Sequence, residues 1–154
     1  SRLQRAAYLY LKAMYLYKDK SPNSQITDLL LESKKNYLEE KQTLPNGRGV
    51  MSVTGYKLQS FAGILLGQMY LEESDWNSAA LELEEALRAA VEATLQSKRF
   101  FSAYIQLGMA HYNLQNWCEA SSSWRAAQKM GKKHRFSLPD ALKEPMEFAQ
   151  SKSN

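Results

Sequence analysis

The sequence is poor in whatever would break, crosslink or anchor a chain. It holds one cysteine, Cys118. A lone thiol builds no disulfide framework, which excludes the disulfide-stapled secreted classes and favours a reducing, intracellular compartment, cytoplasmic or nuclear. None of the four prolines, Pro22, Pro45, Pro139 and Pro145, falls between residues 56 and 130. Only seven glycines punctuate 154 residues. Such sparse punctuation predicts long helices rather than many short strands. No apolar run approaches the ~18 residues of a membrane span, so no membrane partner is expected. The opening "SRLQRAAYLY" lacks Met and the charged-then-apolar order of a signal peptide, and reads as part of a longer protein. The net charge of +4 is below that of a dedicated nucleic-acid binder.

What is present suits one globular domain with a real core: 44% of residues are apolar and 23% charged. Over residues 1–42, Leu3, Ala7, Tyr10, Met14 and Tyr17 recur at steps of three and four. Ile26, Leu29, Leu30, Tyr37 and Leu38 follow after "SPNS". This predicts a helical hairpin, with Ser21 as cap and Pro22 in the first turn of its second helix. Residues 43–55, "TLPNGRGVMSVTG", read as a surface loop. Their "GRG" is too short for a phosphate loop and lacks its Lys-Ser/Thr. Helical patterning then runs from 56 to 130, including a stripe of Leu83, Leu87, Ala90, Val91, Thr94 and Leu95. Gly131 reads as a helix stop, and residues 132–154 as a capping helix and tail, kinked or restarted at Pro145.

Within that stretch the chain repeats a skeleton. "LGQMYLEESDWNSAALELEEA" starts at Leu66, and "LGMAHYNLQNWCEASSSWRAA" starts at Leu107. Small residues stand at Gly67, Ala79 and Ala86, and again at Gly108, Ala120 and Ala127. Bulky ones stand at Leu66, Tyr70, Trp76 and Leu83, and at Leu107, Trp117 and Trp124. Two antiparallel helices need small side chains where they cross closest and large ones elsewhere. Asp75 and Asn116 stand where each second helix begins, as candidate caps.

This spacing resembles the tetratricopeptide repeat. The resemblance implies an all-α fold of antiparallel hairpins stacked as a right-handed superhelix, with units at 56–98 and 99–131; the hairpin at 1–42 does not fit the skeleton and reads as a degenerate unit or an unrelated helical pair. The second copy departs at His111, where the family has an aromatic. The period is 41 residues rather than about 34. The extra seven, ~10 Å of helix, are expected to lengthen the second helix of the first unit, as in kinesin-light-chain-like repeats.

The family lines a concave groove with its first helices. Carried over by position, the groove residues are Phe61, Ile64, Gln68, Leu71 and Glu72, then Ser102, Ile105, Met109, Tyr112 and Asn113. Their apolar content suits a helix or apolar peptide of a partner protein, unless the chain's own terminal helices fill the groove. Some members clamp a carboxylate with Lys, Asn and Arg. The matching positions here are Ile64, Gln68, Ser102 and Gln106, so no cation is expected to point in.

The other chemistry-bearing residues read as structural. The cluster Lys129, Lys132, Lys133, His134 and Arg135 fits a solvated helix end better than a phosphate-binding patch. Glu72, Glu73, Asp75, Glu82, Glu84 and Glu85 read as a solvated face, and no metal set or cofactor motif is found. His111 precedes Cys118 by seven residues, but neither an orienting Asp or Asn nor an oxyanion donor accompanies them. The sequence thus points to a non-catalytic protein-binding domain. Its rivals are a permanent subunit of a complex, which would self-associate when isolated, and a weak nucleic-acid binder acting through 129–135.

Overall fold

Three short turns and their caps divide the chain. A computed structural model describes residues 1–42, 53–93 and 97–153. Among them all regular structure is helical: α1 (Arg2–Lys18), α2 (Asn23–Gln42), α3 (Val53–Glu72), α4 (Trp76–Glu92), α5 (Lys98–Asn113), α6 (Trp117–His134) and α7 (Lys143–Ser153), the last preceded by a 3-10 turn at Asp140–Leu142. The helices pair as α1/α2, α3/α4 and α5/α6. α2 packs on α3, α4 on α5 and α7 on α6, while the first helices of successive pairs also meet, α1 with α3 and α3 with α5.

All three pairs turn in the same way. Lys20, Ser74 and Gln115 adopt the left-handed conformation, with φ of 57°, 57° and 61°. The next residue then donates its amide to a carbonyl five positions back: Ser21 to Leu16, Asp75 to Tyr70 and Asn116 to His111. This closure satisfies carbonyls that the ending helix leaves open. Asp75 and Asn116 match within a degree, at φ −88° and −87° with ψ 78° in both, so Trp76 and Trp117 enter their helices alike. The caps differ. Asp75 accepts the Ser78 amide at 3.2 Å, whereas the Asn116 side chain makes no cap bond and turns to His111 Nδ1 at 3.3 Å. The first hairpin, which lacks the Leu-Gly skeleton, shares the turn. Ala13 stands seven residues before its left-handed residue, as Gly67 and Gly108 do before theirs.

The small residues set the helix spacing. A Cβ on Gly108 would sit 2.2 Å from Trp124 Nε1, and one on Gly67 2.6 Å from Leu83 Cγ. Trp124 is 1% exposed, and its indole N–H donates to the Ile105 carbonyl at 3.0 Å. In the first pair the close face of α1 is Ala6 and Ala13, both fully buried, with Ser33 Oγ donating to the Ala6 carbonyl at 2.7 Å. The stripe read from the sequence, Leu3 to Tyr17, lies beside that face, and only Tyr10 of it is buried.

An ion-pair cluster ties the first two hairpins. Lys34 on α2 reaches Glu82 Oε1 at 2.6 Å and Glu85 Oε2 at 3.3 Å on α4. Glu82 is 6% exposed, which corrects the reading of 82–85 as a solvated face. Burial raises the Glu82 carboxyl, and the Lys34 hydrogen bond and charge oppose it without winning. For Lys34, burial pulls down, but the two carboxylates outweigh it and the ammonium is raised. Both directions hold together: the buried acid carries the desolvation cost and the lysine is held charged.

Several boundaries differ from the sequence reading. α3 starts at Val53, inside the expected 43–55 loop; residues 43–52 lie outside the described residues. α4 spans 17 residues against 18 for α6 and ends at Glu92. It is therefore not lengthened, and Thr94 and Leu95 fall outside the described residues. Gly131 does not stop α6. It lies within the helix because a Cβ there would meet the Phe136 carbonyl oxygen at 2.5 Å. Arg135 ends the helix instead, at φ 61°. Pro145 sits in the first turn of α7, where a missing N–H costs nothing.

Two outcomes follow for stability. Gly108→Ala should destabilise by about 1–3 kcal/mol through overpacking, and Gly67→Ala by less, because a leucine tip moves more easily than a hydrogen-bonded indole; urea unfolding measures both. Lys34→Met should cost about 3 kcal/mol at pH 7 by leaving Glu82 buried and unpaired. That loss should shrink as pH falls through the raised Glu82 value, where protonation removes the charge. The sign is fixed because the folded chain then binds the proton more readily than the unfolded one. Adding Glu82→Leu should restore most of it. Thermal melts from pH 4 to 8 check the sign, and a pH-independent loss would contradict it.

Candidate partner-binding groove

A trough lies where α1 runs beside α3. It has a volume of about 220 Å³, and its walls include Tyr10, Met14, Phe61, Ile64, Gln68 and Arg99. That is below the ~300 Å³ of a typical small-molecule pocket, so it suits anchoring side chains rather than a cofactor. Ile64 is buried and forms part of the floor. Phe61 stacks on Phe100 at 5.8 Å between ring centroids. The Arg99 guanidinium lies 4.4 Å over the Phe61 ring, and Lys57 Nζ 5.7 Å from it. Arg99 also donates to the Tyr10 hydroxyl at 3.4 Å.

The other end is polar and internally bonded. Gln68 Nε2 donates to Tyr17 Oη at 2.6 Å, and Tyr17 Oη donates to Glu72 Oε1 at 3.3 Å. Asn23 Nδ2 donates to Glu72 Oε2 at 3.4 Å. Burial raises the Tyr10 phenol, with Arg99 opposing. Burial and then the Glu72 charge raise Tyr17. Both phenols therefore remain neutral near pH 7, as hydrogen-bonding groups at the rim.

Of the ten groove residues expected, the structure brings Phe61, Ile64 and Gln68 together here, with Glu72 bonded to the rim. Leu71 packs half-buried against the core. The second-unit residues lie elsewhere. Ile105 and Tyr112 join Trp124 and Trp117 in a cluster closed by Leu142, Met146 and Ala149. Tyr112 contacts Phe148 of α7 edge-on at 6.1 Å. The tail helix thus covers the last hairpin. Met109 and Asn113 are exposed, with Asn113 Nδ2 donating to the Met109 carbonyl within α5, and Ser102 is half-buried. The expectation that no cation points in is overturned: Arg99 and Lys18 both line the trough. Arg99 stands three residues before Ser102, one turn earlier on the same face, and Lys18 comes from the other hairpin, which no family position covers.

Elsewhere, His111 is buried, with Nε2 2.8 Å from Glu84 Oε1. An Asn, missed in the sequence, sits at its other nitrogen. Cys118 is exposed, and its thiol donates to the Ser153 carbonyl at 3.9 Å. Among the described residues no three His, Cys, Asp or Glu cluster as metal ligands, and no helix is long and apolar enough to cross a membrane. Lys132, Lys133 and His134 occupy the last turn of α6, with Arg135 as its cap, where the helix dipole favours cations. No family model matches the chain, and no curated protein matches it.

Phe148 is the test of the tail as a cover. It meets Tyr112 and Trp117 edge-on, contacts worth ~0.5–1.5 kcal/mol each. Phe148→Ala should cost about 1–3 kcal/mol in urea unfolding and shift tryptophan emission to the red as Trp117 gains water. An unshifted spectrum would place α7 elsewhere in solution.

Proposed function

We propose that this chain is a tetratricopeptide-like repeat domain whose stacked hairpins form a right-handed superhelix, and that it binds a segment of another protein in the trough between α1 and α3. It acts as an intracellular scaffold or adaptor. The observation that carries this reading is the trough itself: an aromatic and aliphatic floor, one internally bonded polar end and one cationic end, open to solvent. Apolar anchors of a helix or peptide gain burial on Phe61, Ile64 and Tyr10, while Gln68 and Arg99 fix register through hydrogen bonds. No bond is made or broken, and no nucleophile, base or metal set is required. The repeated turn supports the repeat reading, since it recurs in a hairpin that lacks the Leu-Gly skeleton.

Arg99 is exposed and Gln68 is half-buried, so Gln68→Lys with Arg99→Glu should leave folding intact. Proximity labelling with wild type beside this double variant should show partners lost only from the variant. Their affinity should fall about tenfold or more, as expected when rim and anchor contacts fail together. A variant that unfolds cooperatively and keeps every partner would refute binding in the trough. Light scattering over a dilution series separates the permanent-subunit alternative, which requires self-association.

A further inference from the structure

The outward face of α1 carries three large, exposed residues in one line. Tyr8 is 55% exposed, Leu11 61% and Tyr15 71%. Their spacing of three and four residues places them on one helical stripe ~10 Å long. No other described helix carries more than two large exposed apolar residues. Isolated exposed apolar residues need no explanation, but a continuous ridge of them does. The stripe is not spare core, because α1 already buries Ala6, Leu9, Tyr10 and Ala13 on its opposite side.

Charge selects the occupant. α1 contains Arg2, Arg5, Lys12 and Lys18 and no carboxylate. Around the helix, Arg5 and Lys12 fall on one flank of the stripe and Lys18 on the other. Arg2 and Arg5 reach Glu39 and Glu32 of α2 at 3.9 and 3.4 Å, and Arg5 also lies 5.8 Å over the Tyr8 ring. Lys12 and Lys18 meet no carboxylate at ion-pair distance among the described residues. A second copy docked by a two-fold axis would set cations against cations. A lipid surface suits it poorly, since anionic headgroups would meet Glu32 and Glu39 beside the stripe. Two tyrosines beside an arginine are instead the composition of a protein interface, and the rim lysines favour an acidic partner.

We infer that this face of α1 is a docking surface for an acidic amphipathic helix of another protein, whose apolar stripe packs on Tyr8, Leu11 and Tyr15 while its flanking carboxylates meet Lys12 and Lys18. This surface lies on the outward side of α1 and meets the trough at Lys18, which lines both. The whole chain, immobilised, is offered a displayed library of random peptides of roughly 16 residues, a little over four helical turns. Enriched peptides should carry an excess of Asp and Glu and apolar residues three and four apart. Their recovery should drop about tenfold on Tyr8→Ser/Leu11→Ser/Tyr15→Ser, and severalfold on Lys12→Glu, which lies outside the trough, and in high salt. It should survive Arg99→Glu, which reports the trough alone. All four substituted residues of α1 are exposed, so thermal melts should stay within a few degrees of wild type; the lysine variant stands alone if the other does not fold. Enriched peptides without acidic excess, or recovery unchanged in the lysine variant, overturn the assignment. So does a dimer in light scattering that the serine variant abolishes, which would make a second copy the occupant. Retention on phosphatidylserine vesicles that the same variant abolishes would give the face to a membrane.

Discussion

Everything in this molecule hangs on how close two helices come at Gly108. Trp124 lies where a β-carbon would be, and its indole N–H is fixed to the Ile105 carbonyl. An apolar ring that large, fully buried, contributes more to the core than any neighbour, but only if the facing helix yields space. Glycine yields it at a cost of about 1 kcal/mol in helix propensity. Gly67 against Leu83, and Gly63 against Ala86, apply the same constraint in the preceding pair. Once the spacing is fixed at these points, the turn length follows, and the three hairpins close with one backbone geometry.

That constraint explains what could be read from the sequence. Gly67, Gly108, Leu83, Trp124 and the paired Trp76 and Trp117 are close-range signals, with both members of each contact within one hairpin. They were legible because spacing along the chain maps directly onto spacing in a pair of helices. The helical class was legible for the same reason. Ala6 and Ala13 were not, since alanine serves equally as packing surface and as helix filler. Gly131 shows the opposite error. Its smallness was visible, but its use, making room for the Phe136 carbonyl, depends on a chain reversal that follows it.

The site was less legible than the fold because it is made between hairpins. Phe61, Ile64 and Gln68 came from one repeat and were found. Tyr10, Tyr17 and Lys18 lie some fifty residues away in a hairpin that lacks the Leu-Gly skeleton, so no position in the repeat pattern could name them. Arg99 was missed by one helical turn. Five of the expected residues belong to the second unit, where α7 packs on α6 and Ile105 and Tyr112 lie partly buried against the cluster it closes.

The same distinction applies to Lys34 and Glu82, 48 residues apart. A buried ion pair is a poor source of stability, because taking the carboxylate out of water costs about what the lysine returns. The raised Glu82 carboxyl shows that cost directly. Its value is discriminating. α2 packs on α3, and the pair adds a polar link from α2 to α4; a shift between the hairpins would leave the carboxylate without its ammonium. Tyr37 and Tyr70, both raised by burial and then by Glu82, enclose the pair in a low-dielectric setting that sharpens the penalty for misalignment. One hairpin is thereby locked on the next in a single register. The trough depends on that register, since Tyr10 and Phe61 on its opposite sides belong to the two hairpins so joined.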